Sequence, residues 1–259
     1  GITATQLNGV ASDYLQALDI TTLSTVQVSG LDTTAIGNLS STQAQALSTA
    51  QIGALSATSL GALGSTDIQA WDASQLGAVT ATQLGGLSTT DVADFSTTQL
   101  SSLTTTQVRG LTTTQLNTLD TTQVNALNAS DLSTLQVAGI TATGIGSFTD
   151  TQIGTMTAAQ FGVMQTGALN ALSTDAMGAL TAQQAAALTL LQLNSMSTTN
   201  FAALSETTGI PALSTSAIAG ITTAQIAALS TTQANAFTSG QIGVMSNTQV
   251  EALIAAANA

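Results

Sequence analysis

Few groups in this chain could do chemistry. Its charged side chains are 13 carboxylates and one arginine, Arg109, and it contains no His, Cys or Lys. That removes the imidazole base, the thiolate nucleophile, the Schiff-base amine and the usual zinc ligands. The carboxylates are the remaining candidates. Asp91 and Asp94 are three residues apart, a spacing that puts both on one face of a helix, as a glycosidase-type acid/base pair would require. A second reading is structural: Asp91 sits where a repeated helix cap usually has Gln, and Asp94 faces solvent. Asp67 and Asp72 fit that reading too, at positions four and one of neighbouring units. We take the structural reading and assign no catalytic, cofactor-binding or metal-binding residue. For calcium, neither the glycine-rich nonapeptide of β-rolls nor the EF-hand spacing is present.

The element that positions these residues is an octapeptide, S/T-T-x-Q-φ-x-A-L, with φ apolar. Its clearest run starts at Thr104: TTTQVRGL, TTTQLNTL, DTTQVNAL, NASDLSTL. The register extends outward through STAQIGAL at Ser48 and TATQLGGL at Thr80, and returns at Thr181, Thr222 and Ser246. Three places break it, Asp19–Leu23, Gln136–Ile140 and Ser205–Leu213; the last holds the only proline, Pro211. No linker separates the segments. The expectation is one continuous array over residues 1–259, with shifts in the stack near 19–23, 136–140 and 205–213.

Each position has a physical role. Ser, Thr, Asp or Asn at position 1 caps a helix N-terminus, and Gln at position 4 completes a capping box. The apolar residue at position 8 precedes the next cap and pairs with position 5 five residues on, as Leu111 does with Leu116 and Leu119 with Val124; this is the hydrophobic staple. Gly or Asn at position 6, as at Gly53, Gly61 and Asn117, predicts a left-handed residue that ends the helix. A small residue at position 7 allows close approach by a neighbour. Positions 5 and 8 should be buried, including Leu103, Val108, Leu111, Leu116, Leu119 and Val124, with Trp71 and Phe95 as variants of the core Leu. Thr105, Thr106, Thr113 and Thr114 should be exposed, as should Arg109 at position 6. Asn38-Leu39-Ser40 and Asn128-Ala129-Ser130 match glycosylation sequons, but the register alone produces them.

An octad exceeds two turns of 3.6, so its stripe drifts by about 80° per repeat on a continuous helix. Positions 5 and 8 fall on opposite faces of a strand. The pattern therefore predicts a mainly α repeat solenoid, with a short capped helical turn every eight residues and coils stacked into a superhelix; a β-solenoid is the alternative. One such turn is too short to be stable alone, so stability must be collective.

Charge bounds the partners. Charged residues are 5% of the chain, against roughly 25% in ordinary domains. A net charge of −12 with one arginine excludes nucleic acid as an expected partner, because that binding rests on basic residues. No apolar run of about 18 residues predicts membrane insertion. The chain starts at Gly1 without a visible leader, which suggests a fragment or a processed form. Neither Gly1-Ile2 nor Ile254-Ala255-Ala256-Ala257 reads as a polar end cap.

The units STTQIxAL and TTTQVxxL resemble the Thr/Gln/Ala/Leu repeat tracts of giant secreted, adhesin-like surface proteins of Gram-negative bacteria. The resemblance covers nearly the whole chain. It implies an extracellular or cell-surface stalk, fibre or surface-layer segment, not an enzyme, whose partners are copies of itself or flanking repeats. The alternative is a surface-binding module for ice, polysaccharide or adhesion, using the outward Thr pairs.

Overall fold

The computed structural model describes all residues, Gly1–Ala259. It contains 29 α-helices and three single-turn 3-10 helices, and no strand. The α-helices span four to six residues, except the last, Asn247–Ala257, of eleven. The helical solenoid is therefore the architecture, and the β-solenoid alternative is overturned. The reason is local: the capping boxes form. At Thr104 the hydroxyl accepts the Gln107 N–H at 3.3 Å, while Gln107 Oε1 accepts the Thr104 N–H at 2.9 Å. The same reciprocal pair recurs from Thr3 to Ser246.

The helix terminations correct the reading of position 6. No residue of the chain, glycine included, has a positive φ. Gly61, at φ −68° and ψ −11°, and Asn235, at φ −77° and ψ −6°, are right-handed. The change of direction is made by two extended residues, position 8 and the next cap. Leu103 has φ −61° and ψ 134°, and Thr104 has φ −69° and ψ 158°. Because the next Ser or Thr holds its own backbone extended while capping, no left-handed residue is needed.

The apolar pair faces inward. Leu103, Val108, Leu111, Leu116, Leu119 and Val124 are buried, as are Trp71 and Phe95. Thr105, Thr106, Thr114 and Arg109 are exposed, and Thr113 is half-buried. The Trp71 indole donates to the Ala44 carbonyl at 3.0 Å, which satisfies its one polar atom inside the core.

The chain divides into two compact units, Gly1–Leu127 and Asn128–Ala259. In the first, helix Ala81–Gly86 packs on Ala57–Leu60, three helices earlier; in the second, Ala158–Val163 packs on Thr134–Gly139 in the same way.

The irregular segments keep this stacking by economical means. Asp19–Leu23 lacks the first helical turn of an octad but retains its second half as the 3-10 turn Ile20–Thr22, capped by Asp19. Ser205–Leu213 absorbs its extra residue in a wide turn, in which the Ser205 carbonyl accepts both the Gly209 and Ile210 N–H groups. The third break lies elsewhere than the sequence reading put it. Gln136–Ile140 is the second half of a regular octad that begins at the cap Ser133, with helix Thr134–Gly139. The five-residue unit is Asn128–Leu132, with the 3-10 turn Ala129–Asp131. Two caps competed for one register, and Ser133 with Gln136 prevailed: Ala129 and Leu132 are buried as the pair of the short unit, and Leu135, which the other register turns inward, is exposed.

The last helix also departs from the octad. It runs on through Ala257 and packs on helices Thr223–Ala227 and Thr231–Ala234, burying Leu253 and Ala256. No helix is long and apolar enough to cross a membrane.

Candidate functional site

The most developed polar arrangement is a ladder of buried glutamines. In a capping box the Gln carbonyl oxygen is consumed, and two N–H donors are left over. Here both are used between coils. Gln83 Nε2 donates to the Ile52 and Leu55 carbonyls, each at 2.8 Å. Gln107 Nε2 reaches Leu76 at 2.9 Å and Val79 at 2.8 Å, and Gln115 Nε2 reaches Leu84 and Leu87 at 2.8 Å. In the second compact unit Gln192 Nε2 repeats this on Phe161 and Met164, both at 2.8 Å. In most rungs the acceptors are positions 5 and 8 of the unit four repeats earlier, 31 and 28 residues back in regular stretches; Gln75 and Gln233 instead use positions 6 and 8, on Gln45 with Leu47 and on Ala202 with Leu204. The position 8 carbonyl accepts no backbone N–H of its own unit, and the position 5 carbonyl, which already accepts the position 8 N–H as Ile52 does from Leu55 at 3.2 Å, gains a second donor.

The ladder runs through the irregular units. Gln51 Nε2 donates to Ile20 at 2.8 Å and Leu23 at 2.9 Å, the two carbonyls that the shortened unit retains. Gln160 Nε2 uses Ala129 and Leu132 of the second short unit, and Gln241 Nε2 uses Ile210 and Leu213 of the long one. Across the long unit the interval grows by one, with Gln225 reaching Leu193 at 32 and Met196 at 29 residues.

A second set of bonds runs the other way from position 6. Asn170 Nδ2 donates to the Ser195 carbonyl at 2.8 Å, and its Oδ1 accepts the Ser197 N–H at 2.8 Å. Asn8 makes the same pair with Gly30 and Asp32, both at 3.0 Å. At some position 6 glycines the later coil comes close instead: a Cβ on Gly178 would lie 3.1 Å from the Ala203 carbonyl, and one on Gly162 3.2 Å from the Ala187 carbonyl. In these units position 6 is a coil-to-coil contact, which accounts there for Gly or an amide without any left-handed backbone.

The acidic residues do not assemble into a catalytic pair. Asp91 Oδ2 accepts the Ser88 N–H at 2.9 Å in a capping box. Asp94 is the helix C-cap; it is half-buried where exposure was expected, and its carbonyl accepts Gln69 Nε2 at 2.7 Å. Asp72 caps Ala73–Gly77, accepting the Gln75 N–H at 2.8 Å. Asp67 begins no such network, and its Oδ1 is sealed from solvent with no hydrogen-bond partner. No three acidic side chains converge as a carboxylate metal cluster. Asp19 is held below the ordinary carboxylate range, first by the Thr21 hydroxyl and then by the Thr21 N–H.

The inter-coil role of Gln was missed in the sequence, although a signal was there. A capping box accepts Glu as well as Gln. Yet the two glutamates, Glu206 and Glu251, both lie outside position 4. Excluding Glu from a site where only an acceptor is needed for capping points to a demand for the N–H donors.

Residues 92–131 and 206–239 match the ALTTAQ repeat family. No curated protein matches the chain. The first matched segment contains the most regular octads and Gln99, Gln107, Gln115 and Gln123. The second contains the nine-residue unit from Glu206 onward, with Gln225 and Gln233.

Proposed function

We propose that the chain is a non-enzymatic structural segment, part of an extracellular or cell-surface stalk, fibre or surface layer. The observation that supports this most is the glutamine ladder. Each coil uses its distinctive polar side chains to hold the preceding coil, so the most elaborate hydrogen bonding serves cohesion. The scheme places no limit on the number of coils, as suits a load-bearing repeat. The lack of His, Cys and Lys and the low charge favour the same reading. The reading with a flat Thr face for ice or polysaccharide has less support, because the Thr pairs lie on the first turns of separate short helices.

Single-molecule stretching tests the proposal. A stalk held coil to coil should unfold in repeated increments of similar length. One all-or-none rupture of each compact unit would contradict it. Light scattering over a concentration series tests fibre formation separately: growth supports copies as partners, and a concentration-independent monomer removes them.

A further inference from the structure

At position 4 of the first compact unit, two aspartates stand where glutamine forms a rung. Asp91 is accommodated. Its carboxylate accepts the Ser88 N–H, lies against Gly61, and opens onto a cavity of about 370 Å³. Asp67 is not. Its unit begins with Gly64, which provides no side-chain cap, and Asp67 Oδ1 is buried without a hydrogen-bond partner. Its acceptors are fixed by the ladder. Counting back the 31 and 28 residues that separate Gln83 from its acceptors puts the Ile36 and Leu39 carbonyls opposite Asp67. A glutamine here would place Nε2 between them. Aspartate is one methylene shorter and has no N–H, so on this register position 4 offers the two carbonyls no donor.

We propose that this acidic rung binds a hard cation of calcium size, held by the Asp67 carboxylate and the Ile36 and Leu39 carbonyls, with water completing its shell. The donor set is all oxygen, as calcium prefers, and mixes carboxylate with backbone carbonyls as calcium sites do. A cation there takes the structural part of the missing amide, joining the coil of Asp67 to the coil of Ile36. The net charge of −12 raises the local cation concentration. With a single carboxylate, affinity should be in the range of weak extracellular sites, on the order of 1 mM.

The test is thermal unfolding and isothermal calorimetry of the whole chain with calcium alone as probe, at constant ionic strength, with magnesium in parallel. Calcium at ten times its dissociation constant should raise the melting temperature by about 3 °C, and magnesium by less. Asp67→Gln rebuilds the amide rung. It should abolish the calcium response and melt, in chelator, at or above the parent chain. Asp67→Asn removes the charge without reaching the carbonyls; it should lose the response and melt below Asp67→Gln. Asp94→Asn should keep the response. Three results overturn the proposal: no calcium shift in the parent chain, a full shift retained in Asp67→Gln and Asp67→Asn, or stabilisation by acid alone that Asp67→Gln removes, which would make the ligand a proton.

Discussion

The rung at Gln115 and the rung at Asp67 occupy equivalent places in one compact unit and are built differently. At Gln115 the cap is Thr112, Oε1 accepts the Thr112 N–H at 2.7 Å, and Nε2 holds Leu84 and Leu87. At Asp67 the cap is Gly64, with no side-chain bond and no amide. Yet helix Ser65–Gln69 forms, Ile68 and Trp71 are buried, and the backbone follows the same course. The difference separates two roles that the repeat elsewhere combines. The apolar pair at positions 5 and 8 is enough to set the conformation of a unit. The amide at position 4 fastens one coil to another.

That division orders the expected effects. The largest belongs to the apolar layer. Phe161 is fully buried, and Phe161→Ala should cost about 3–5 kcal/mol in urea unfolding. A loss under about 1 kcal/mol would show that the layer is loosely packed and the comparison misplaced. Next is the conversion of a regular rung into an acidic one. Gln115→Glu keeps the capping oxygen but sets a carboxylate against two carbonyls, at a cost of about 3 kcal/mol near neutral pH. The new carboxyl should have a folded pKa raised above its unfolded value. The cost is then present above that raised pKa and falls as the pH drops and the protonated acid can donate. A cost independent of pH would mean that the donors are not what holds the coils.

A smaller effect is expected where backbone meets backbone. A Cβ on Gly110 would stand 2.5 Å from the Ala81 carbonyl and 2.6 Å from its Cα. Gly110→Ala should therefore cost about 1–3 kcal/mol, although it is a change that stabilises many turns. A neutral result would show that the coils can slide apart at this contact. The smallest effect is at the shortened unit. The depressed pKa of Asp19 means that its contribution is present above the ordinary value of 3.8 and is lost as pH falls through its folded value. An NMR titration should place its midpoint below 3.8, and Thr21→Val should move it back up.

The sequence displayed the units well and the connections between them poorly. Capping boxes and the apolar pair are local, within five residues, so Thr104, Gln107, Val108 and Leu111 could be placed from their spacing alone. The glutamine rungs join residues 28 and 31 apart, and nothing in one octad states how many octads complete a coil. Position 6 was misread for the same reason: its partner is in another coil, and a local explanation for Gly and Asn was at hand. The short unit was misplaced by eight residues because Asn128 and Ser133 both read as caps, and only packing decides between them. Asp67 could be placed by register, but its buried, unpartnered oxygen could not be foreseen.

The central claim, that position 4 glutamines tie coil to coil through both amide hydrogens, is tested most directly by hydrogen exchange of side-chain amides. Gln115 Nε2 should exchange on the order of 100-fold more slowly than the exposed Gln45 Nε2, for both of its hydrogens. If Gln115 and Gln45 exchange at the same rate, the rungs do not hold the coils and the account fails.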